Sequence, residues 1–334
     1  MASRYRADHV GSLLRPPELL QAREEHRQNR ITADQLREAE DDAVLKALDV
    51  QREAGIDVFT EGEYRRSGWS TAYRDSVEPL VSTQGSPIQG FLGQWQGPHG
   101  ELATTSMLTG SVAGMVVSGK IRQTRRLAAT EAAFLKANAP GPWKITMPGA
   151  MSGAGQLFKA GVTDQYYPTR RDLAYDLVPM LQQEIAALQA DGCAYIQLDS
   201  LHYVERVADK TIRARMLADG EDPDQYLDDL IAIDNAALKD ARRPGVTVGM
   251  HMCRGNNRSA WHAEGSYEPI AEKAIGQLHV DRFLLEYDTD RAGGFEPLRF
   301  VPKDKMIVLG LISSKEPVLE PIDQLRRRID EAAK

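Results

Sequence analysis

The residues best suited to chemistry in this sequence lie between Val248 and Asn257, a segment that reads VGMHMCRGNN. It carries His251 and Cys253 two residues apart at the end of an apolar run, and alternate residues of a strand point to the same face. A second apolar run, from Arg282 to Tyr287, carries the carboxylate of Glu286. An imidazole, a thiolate and a carboxylate from neighbouring strand ends predict a three-ligand zinc site with one position open for chemistry. Calcium and magnesium avoid thiolates, so zinc is favoured.

Two carboxylates elsewhere in the sequence are candidates for acid–base or substrate-binding work. Asp199 ends the apolar run AYIQLD, where it can bind a substrate ammonium, move a proton, or cap the helix that follows. Glu61 and Glu63 flank Gly62, and alternation places both on the same side of an extended chain. We predict that Glu63 contacts the substrate, and we name Asp199 and Glu63 as the candidate catalytic residues.

Candidate anion-binding residues lie in two glycine-containing segments. In HVGSLLRP, the backbone N–H groups around Ser12 and the guanidinium of Arg15 could bind a carboxylate, although a tight turn before a helix fits the same spacing. Arg254 begins the loop RGNNR, where it could hold an anionic part of a substrate or simply be solvated. We predict that Ser12, Arg15 and Arg254 join Glu63 and Asp199 as substrate-binding residues.

Strand-like and helix-like runs alternate along the chain. The predicted strands are a short one leading into His9 and the runs 56–61, 143–147, 194–199, 246–251, 282–287 and 306–312. Predicted helices begin near residue 17 and at residue 32, where TADQ is a capping box, and cover about 168–191, 222–241, 267–277 and 318–333. Residues 76–119 interrupt this alternation and predict an irregular insertion with antiparallel hairpins.

The alternation of strands and helices is typical of a parallel sheet with helical crossovers. It predicts an α/β fold of the TIM (β/α)8 barrel type, formed as a single domain over residues 1–334. Polar residues follow the carboxyl ends of five predicted strands, which is where barrel active sites lie. The count of seven predicted strands leaves the eighth strand of the barrel unaccounted for in this chain.

Composition and charge exclude several classes of partner. The formal net charge of −7 argues against nucleic acid or an anionic membrane surface. No run approaches the roughly 20 apolar residues that span a bilayer, and the start lacks an apolar signal core, so we expect a cytoplasmic enzyme. Of the two cysteines, Cys193 lies where a helix passes into a strand, and we predict an ordinary buried thiol there.

Several of these motifs together resemble cobalamin-independent methionine synthase, and in particular its short single-barrel relatives. The resemblance is carried by HVGSLLRP near the start, HMC after the fifth predicted strand and Glu286 after the sixth. EGEYRRS, RGNNRS, EYD and GLISSK also fit that branch, in the same order and almost from end to end.

The resemblance implies a barrel of the methionine synthase and uroporphyrinogen decarboxylase type that holds zinc through His251, Cys253, Glu286 and a second cysteine. Homocysteine would bind zinc as a thiolate and accept a methyl group from a methylated folate, with its amino-acid part held by Ser12, Glu63 and Asp199. The second cysteine would lie beyond the last helix of this chain. Where the full synthases carry DIHS, this chain reads SSKE, so their proton-delivering histidine is replaced by Lys315 or is absent.

Other functions remain open from the sequence. A simpler methyl donor could replace the folate. An epoxyalkane:coenzyme M transferase would keep the zinc and thiolate but open an epoxide, with Arg15, Arg254 or Arg258 on the sulfonate. A zinc-binding relative with impaired catalysis would follow from the missing fourth ligand. A decarboxylase of the uroporphyrinogen type shares the barrel but does not need the His-x-Cys pair.

Overall fold

The computed structural model describes residues 6–83, 95–102 and 114–334, and its centre is a five-stranded parallel sheet. The strands of that sheet are β3 (Lys144–Pro148), β4 (Tyr195–Asp199), β5 (Thr247–Met252), β6 (Arg282–Glu286) and β7 (Met306–Gly310), in that spatial order. Because neighbours in space are also neighbours in sequence, every connection runs in the same direction around the sheet. This order confirms the predicted α/β class.

Helices of the described residues flank the sheet and connect its strands. They are α1 (Pro17–Arg27), α2 (Ala33–Glu53), α3 (Thr71–Arg74), α4 (Ala129–Asn138), α5 (Ala150–Leu157), α6 (Arg170–Asp191), α7 (Lys210–Ala218), α8 (Pro223–Ala237), α9 (Glu268–Ile270) and α10 (Ile322–Ala332). Short π-helical turns cover 203–208 and 271–275. None of the helices in the described ranges is long and apolar enough to cross a membrane.

Local sequence explains where the two longest helices begin and end. The Thr32 side chain accepts the N–H of Gln35 at the start of α2, and the Gln35 side chain accepts the N–H of Thr32, which is the predicted capping box. Thr169 begins α6 in the same way, and Gly192 ends that helix with a φ of 91°. A left-handed residue at this position is favourable for glycine, so α6 ends where the sequence predicts.

The core lies between the sheet and the helices. All residues of β3 and β4 are buried, whereas every residue of β7 is only half-buried. Five of the seven predicted strands are confirmed with ends within one or two residues of the prediction. Strands buried on both faces contain near-continuous apolar runs, which is why the sequence identified them.

The run 56–61, predicted as the second strand, does not form a strand, and this part of the prediction is wrong. Residues 1–5, which hold much of the first predicted strand, lie outside the described residues, and residues 6–13 form no strand. From the 56–61 run only Phe59 pairs in parallel with the sheet, through a bridge to Trp143. The N–H and C=O of the next residue, Thr60, bond to the side-chain amide of Gln51 instead of a neighbouring strand. The segment still lies beside β3, and Leu13 donates its N–H to Gly62, so the chain order of the sheet continues through both segments.

The region predicted as an insertion, 76–119, overlaps an antiparallel pair of strands. β1 (Val77–Thr83) pairs with β2 (Gly114–Gln123), with a register irregularity between Glu78 and Leu80. Residues 84–94 and 103–113 of this region lie outside the described residues, so the hairpins predicted there are not described.

Candidate active site

The carboxyl ends of β4, β5 and β6 bring four of the predicted site residues to one edge of the sheet. Asp199 and His251 are register partners on β4 and β5, and Asp199 Oδ1 lies 3.3 Å from His251 Nδ1. Glu286 is the last residue of β6, and its Oε2 accepts the N–H of Arg254, 2.6 Å away, directly after Cys253. The parallel register therefore gathers Asp199, His251, Cys253 and Glu286 at neighbouring strand ends.

The side chain of His251 lies next to Asp199 and is mostly buried, with 13% of its surface exposed. Burial lowers the pKa of its imidazole, but the neighbouring Cys253 and the hydrogen bond with Asp199 outweigh burial and raise that pKa to about 10. Without a metal ion the imidazole is therefore held in its protonated form. The imidazole of His251 thus has the sulfur of Cys253 and a carboxylate oxygen of Asp199 as neighbours.

Glu286 is bound by cations of the chain itself. Its Oε1 lies 3.0 Å from Lys315 Nζ and 3.2 Å from Arg291 Nη2. Lys315 and Arg291 also reach Asp288, at 3.3 Å and 3.4 Å, so two carboxylates and two cations form one cluster. All four side chains are at most 13% exposed. The Glu286 carboxylate is thus paired with two cations of the chain.

The donor set of this edge fits zinc in its chemistry. A nitrogen from His251 and a sulfur from Cys253 are ligands that zinc prefers, and a metal-bound histidine commonly gives its other ring nitrogen to a carboxylate, as His251 does to Asp199. In the part of the chain that the structure describes, however, no three His, Cys, Asp or Glu side chains are grouped as a metal ion requires. Glu286 could join the two only by exchanging Lys315 or Arg291 for the metal.

The carboxylate of Glu63 is held against the middle of β3. Thr146 donates its hydroxyl to Glu63 Oε1 at 2.6 Å, and Arg66 Nη1 lies 3.4 Å from the same oxygen. Gly62 and Glu63 both have positive φ, 70° and 58°, in the turn from which the Glu63 side chain contacts Thr146. A non-glycine residue rarely adopts such a backbone, and strained positions of this kind concentrate at functional sites.

Glu61, which the sequence did not favour, has a structural role. Its carboxylate accepts the N–H groups of Glu63 and Tyr64, at 2.9 Å and 3.0 Å, and so fixes the turn. Burial raises its pKa to about 7, although Arg66 opposes this shift.

Ser12 and Arg15 lie next to this turn. Gly11 packs against Thr146 so closely that a Cβ would be 2.6 Å from the Thr146 methyl group, which requires glycine before Ser12. Ser12 itself is exposed. Arg15 donates to the carbonyl of Glu63 at 2.8 Å and to that of Arg66 at 3.3 Å. Arg15 therefore stabilises the turn at Gly62 and Glu63, and its contact with a substrate stays a prediction.

Arg254 occupies a different position from the one expected from the sequence. It is completely buried, and its guanidinium donates to the carbonyls of Glu286 and Gly265 at 2.8 Å and 2.5 Å and to the Tyr267 hydroxyl at 3.1 Å. A loop arginine at the mouth of a site would be partly solvated, whereas this one ties the loop after β5 to the end of β6. The guanidinium is thus engaged by the chain itself, and contact of Arg254 with the substrate stays a prediction.

The sequence analysis missed several residues that hold the site together. Thr146 and Gln197 face Glu63 and Asp199, and their positions two residues from other interior residues of β3 and β4 could have identified them. Lys315 was noted only as a departure from the family. A buried pair on the same side of the sheet, Glu205 and His262 with 3.8 Å between Oε2 and Nε2, had no sequence signal, because its members are distant in the chain.

Comparison with known proteins gives consistent matches along the whole chain. A family model described as the catalytic domain of cobalamin-independent synthase matches residues 7–334. The chain is 36% identical to the protein YxjH of Bacillus subtilis, over 99% of this chain and 83% of that protein. It is 26% identical to a methionine synthase of Sulfolobus acidocaldarius, over 95% of this chain and 77% of that protein. A solved structure, named as a vitamin-B12-independent methionine synthase from Listeria monocytogenes, superposes with a TM-score of 0.73 at 27% identity, covering 100% of this chain and 87% of that one.

Proposed function

Because this chain belongs to the cobalamin-independent methionine synthase family, we propose that it is a methyltransferase that methylates the sulfur of homocysteine. The proposed donor is a methylated folate, and the proposed metal is zinc. The observation that carries the proposal is the juxtaposition of Asp199, His251 and Cys253, with 3.3 Å between Asp199 Oδ1 and His251 Nδ1. It joins a metal-binding pair to a carboxylate that can recognise an amino acid.

Zinc would be held by His251 and Cys253, with Glu286 as the third ligand from this chain. When bound, it would lower the pKa of the substrate thiol so that a sulfur nucleophile exists at neutral pH. In the transfer, a sulfur–methyl bond forms while the bond from the methyl group to the folate nitrogen breaks, and that nitrogen takes up a proton. The protein's remaining task is to hold the two substrates in line.

The amino-acid part of homocysteine would be bound by Glu63, Asp199 and Ser12. Among the described residues, the side-chain contacts of Asp199 with His251 and Gln197 both fall on Oδ1, which leaves Oδ2 for a substrate ammonium. Glu63 is held against Thr146 of β3 through Oε1 and would offer a second carboxylate to the same ammonium. Two carboxylates suit a cation, so these groups favour an α-amino acid substrate over a simple thiol.

The fold that this function needs is a barrel, and we propose that the chain forms one as a single domain. The segments 8–13 and 56–62 continue the strand order beyond β3, through the Phe59–Trp143 bridge and the Leu13–Gly62 hydrogen bond. They would complete seven positions around the barrel in the order of the sequence. The active edge then corresponds to the carboxyl ends of the strands, where barrel enzymes carry their catalytic residues.

The proposal is tested by assaying zinc-loaded protein with homocysteine and methylated folate, and with simpler methyl donors in parallel. We expect methionine to form with at least one of these donors. Metal-loaded protein that yields no methionine with any donor would contradict the methyltransferase proposal. The coenzyme M and epoxide alternative is assayed in the same series; no observation favours it, because Arg15 and Arg254 already bind carbonyl oxygens of the chain.

A further inference from the structure

A buried chain of polar side chains runs along the interior of the sheet to the active edge. Asp8 and Lys144 form an ion pair at 2.8 Å, with side chains 1% and 0% exposed. Lys144 Nζ also donates to Gln197 Oε1 at 3.1 Å, and Gln197 Nε2 donates to Asp199 Oδ1 at 2.7 Å. Asp199 in turn contacts His251. Five side chains on four different segments are thus joined from the amino ends of the strands to their carboxyl ends.

The orientation of the Gln197 amide is fixed by its partners. An ammonium group can only donate, so Lys144 must face the amide oxygen, and the amide nitrogen must then face Asp199. The same nitrogen donates to the carbonyl of Val10 at 2.8 Å. Gln197 is completely buried, and the three contacts engage both polar atoms of its amide. Asp199 Oδ1 therefore accepts a hydrogen bond from an amide that has other partners to hold its orientation.

This donor has a consequence for His251. Gln197 and Asp199 lie two residues apart on β4 and share one face, so the amide holds the carboxylate in the rotamer whose Oδ1 meets His251 Nδ1. With Nδ1 engaged, Nε2 is the ring nitrogen that remains for a metal ion. Mutation of a residue that orients a metal-bound histidine without binding the metal typically lowers metal affinity by about 10–100-fold.

We propose that Gln197, oriented by Lys144, is a positioning residue that fixes Asp199 and through it the ring of His251. The inference rests on the proposed function, because the metal site is part of that proposal. Gln197 touches neither substrate nor metal; it acts only through Asp199.

Two variants test this role. Gln197→Met removes all three contacts, whereas Gln197→Glu keeps the shape and the contact with Lys144 but replaces the nitrogen that donates to Asp199 by oxygen. Gln189→Met is the matched control, because Gln189 donates to the carbonyl of Ala241 at 2.7 Å from α6 and lies away from the active edge. If Gln197→Met fails to fold, Gln197→Glu carries the test alone.

The first readout is NMR of the metal-free protein labelled at its histidine ring nitrogens. We expect the slowly exchanging Nδ1–H signal of His251 to be present in wild type and in Gln189→Met and lost in both Gln197 variants. The second readout is zinc affinity from competition with a chelator, which we expect to fall about 10–100-fold in the Gln197 variants only.

The outcomes separate the two proposals. A retained Nδ1–H signal in a folded Gln197→Glu variant, or an equal loss of zinc affinity in Gln189→Met, overturns the positioning role. A wild-type protein that binds no zinc overturns the metal site of the proposed function, while the NMR readout still decides the role of Gln197.

Discussion

Lys315 Nζ lies 3.0 Å from Glu286 Oε1, so an internal cation occupies the carboxylate that the sequence predicts as a zinc ligand. Lys315 is 8% exposed and reaches Asp288 as well, at 3.3 Å. A metal ion and Lys315 therefore compete for Glu286. Affinity for zinc is the difference between these two interactions and not a property of the ligands alone.

Replacing Lys315 should strengthen metal binding. In Lys315→Met the Glu286 carboxylate keeps Arg291 but loses its nearest cation, so we expect zinc to bind about tenfold more tightly, which corresponds to ~1.4 kcal/mol. Chelator competition measures this change. Lys303→Met, at an exposed position, is the control and should leave the affinity unchanged. Unchanged or weaker binding in Lys315→Met would show that Glu286 does not take part in metal binding.

The two cysteines should differ completely in their effect on metal retention. Cys253 stands beside His251 at the end of β5, whereas Cys193 is 1% exposed in the core, where burial raises the pKa of its thiol to about 12. Cys253→Ser should lose zinc, because a hydroxyl replaces the thiolate ligand. Cys193→Ser should retain it. Metal content of the purified variants decides this, and equal loss from both would disprove the assignment of Cys253.

Arg254 should matter for stability more than for substrate binding. Arg254→Met removes three hydrogen bonds from a fully buried guanidinium and leaves the carbonyls of Glu286 and Gly265 without this donor. We expect the free energy of unfolding to fall by about 3 kcal/mol. Arg258→Met, at an exposed position of the same loop, should change it little. Denaturant unfolding measures both. Unchanged stability together with weaker substrate binding would favour the role predicted from the sequence.

Asp234 should make stability depend on pH between about 4 and 7. Burial raises the pKa of its carboxyl to about 7, and the hydrogen bond from Tyr203 opposes this only in part. In this window the folded protein keeps a proton that the unfolded chain has released, so stability falls as pH rises. Relative to Asp234→Asn, the wild type should lose about 1 kcal/mol per pH unit. Unfolding free energies of both proteins at several pH values check this, and parallel pH profiles would contradict the raised pKa.

Most of the fold was accessible from the sequence because its strands are buried on both faces. The run that ends at Asp199 is mostly apolar and completely buried, and helix starts such as Thr32 carry their own capping signals. The predicted strand 56–61 also carries apolar residues, Ile56, Val58 and Phe59, but it did not form. The backbone of Thr60 in this run bonds to the side chain of Gln51, and no local sequence pattern indicates a contact of that kind.

The sequence by itself determined which groups carry chemistry: the spacing of His251 and Cys253, and the positions of Asp199 and Glu286 at strand ends. Side chains alternate along a strand with a period of two residues, so the spacing of His251 and Cys253 already predicts that they share a face. The positions of Asp199 and Glu286 at the ends of predicted parallel strands likewise predict the edge of the sheet at which they lie. Only the tertiary structure decided the partners of each group. Lys315 on Glu286 and Gln197 behind Asp199 depend on how strands and loops pack, because the energy of a buried charge is set by whichever donor or cation lies nearest in space.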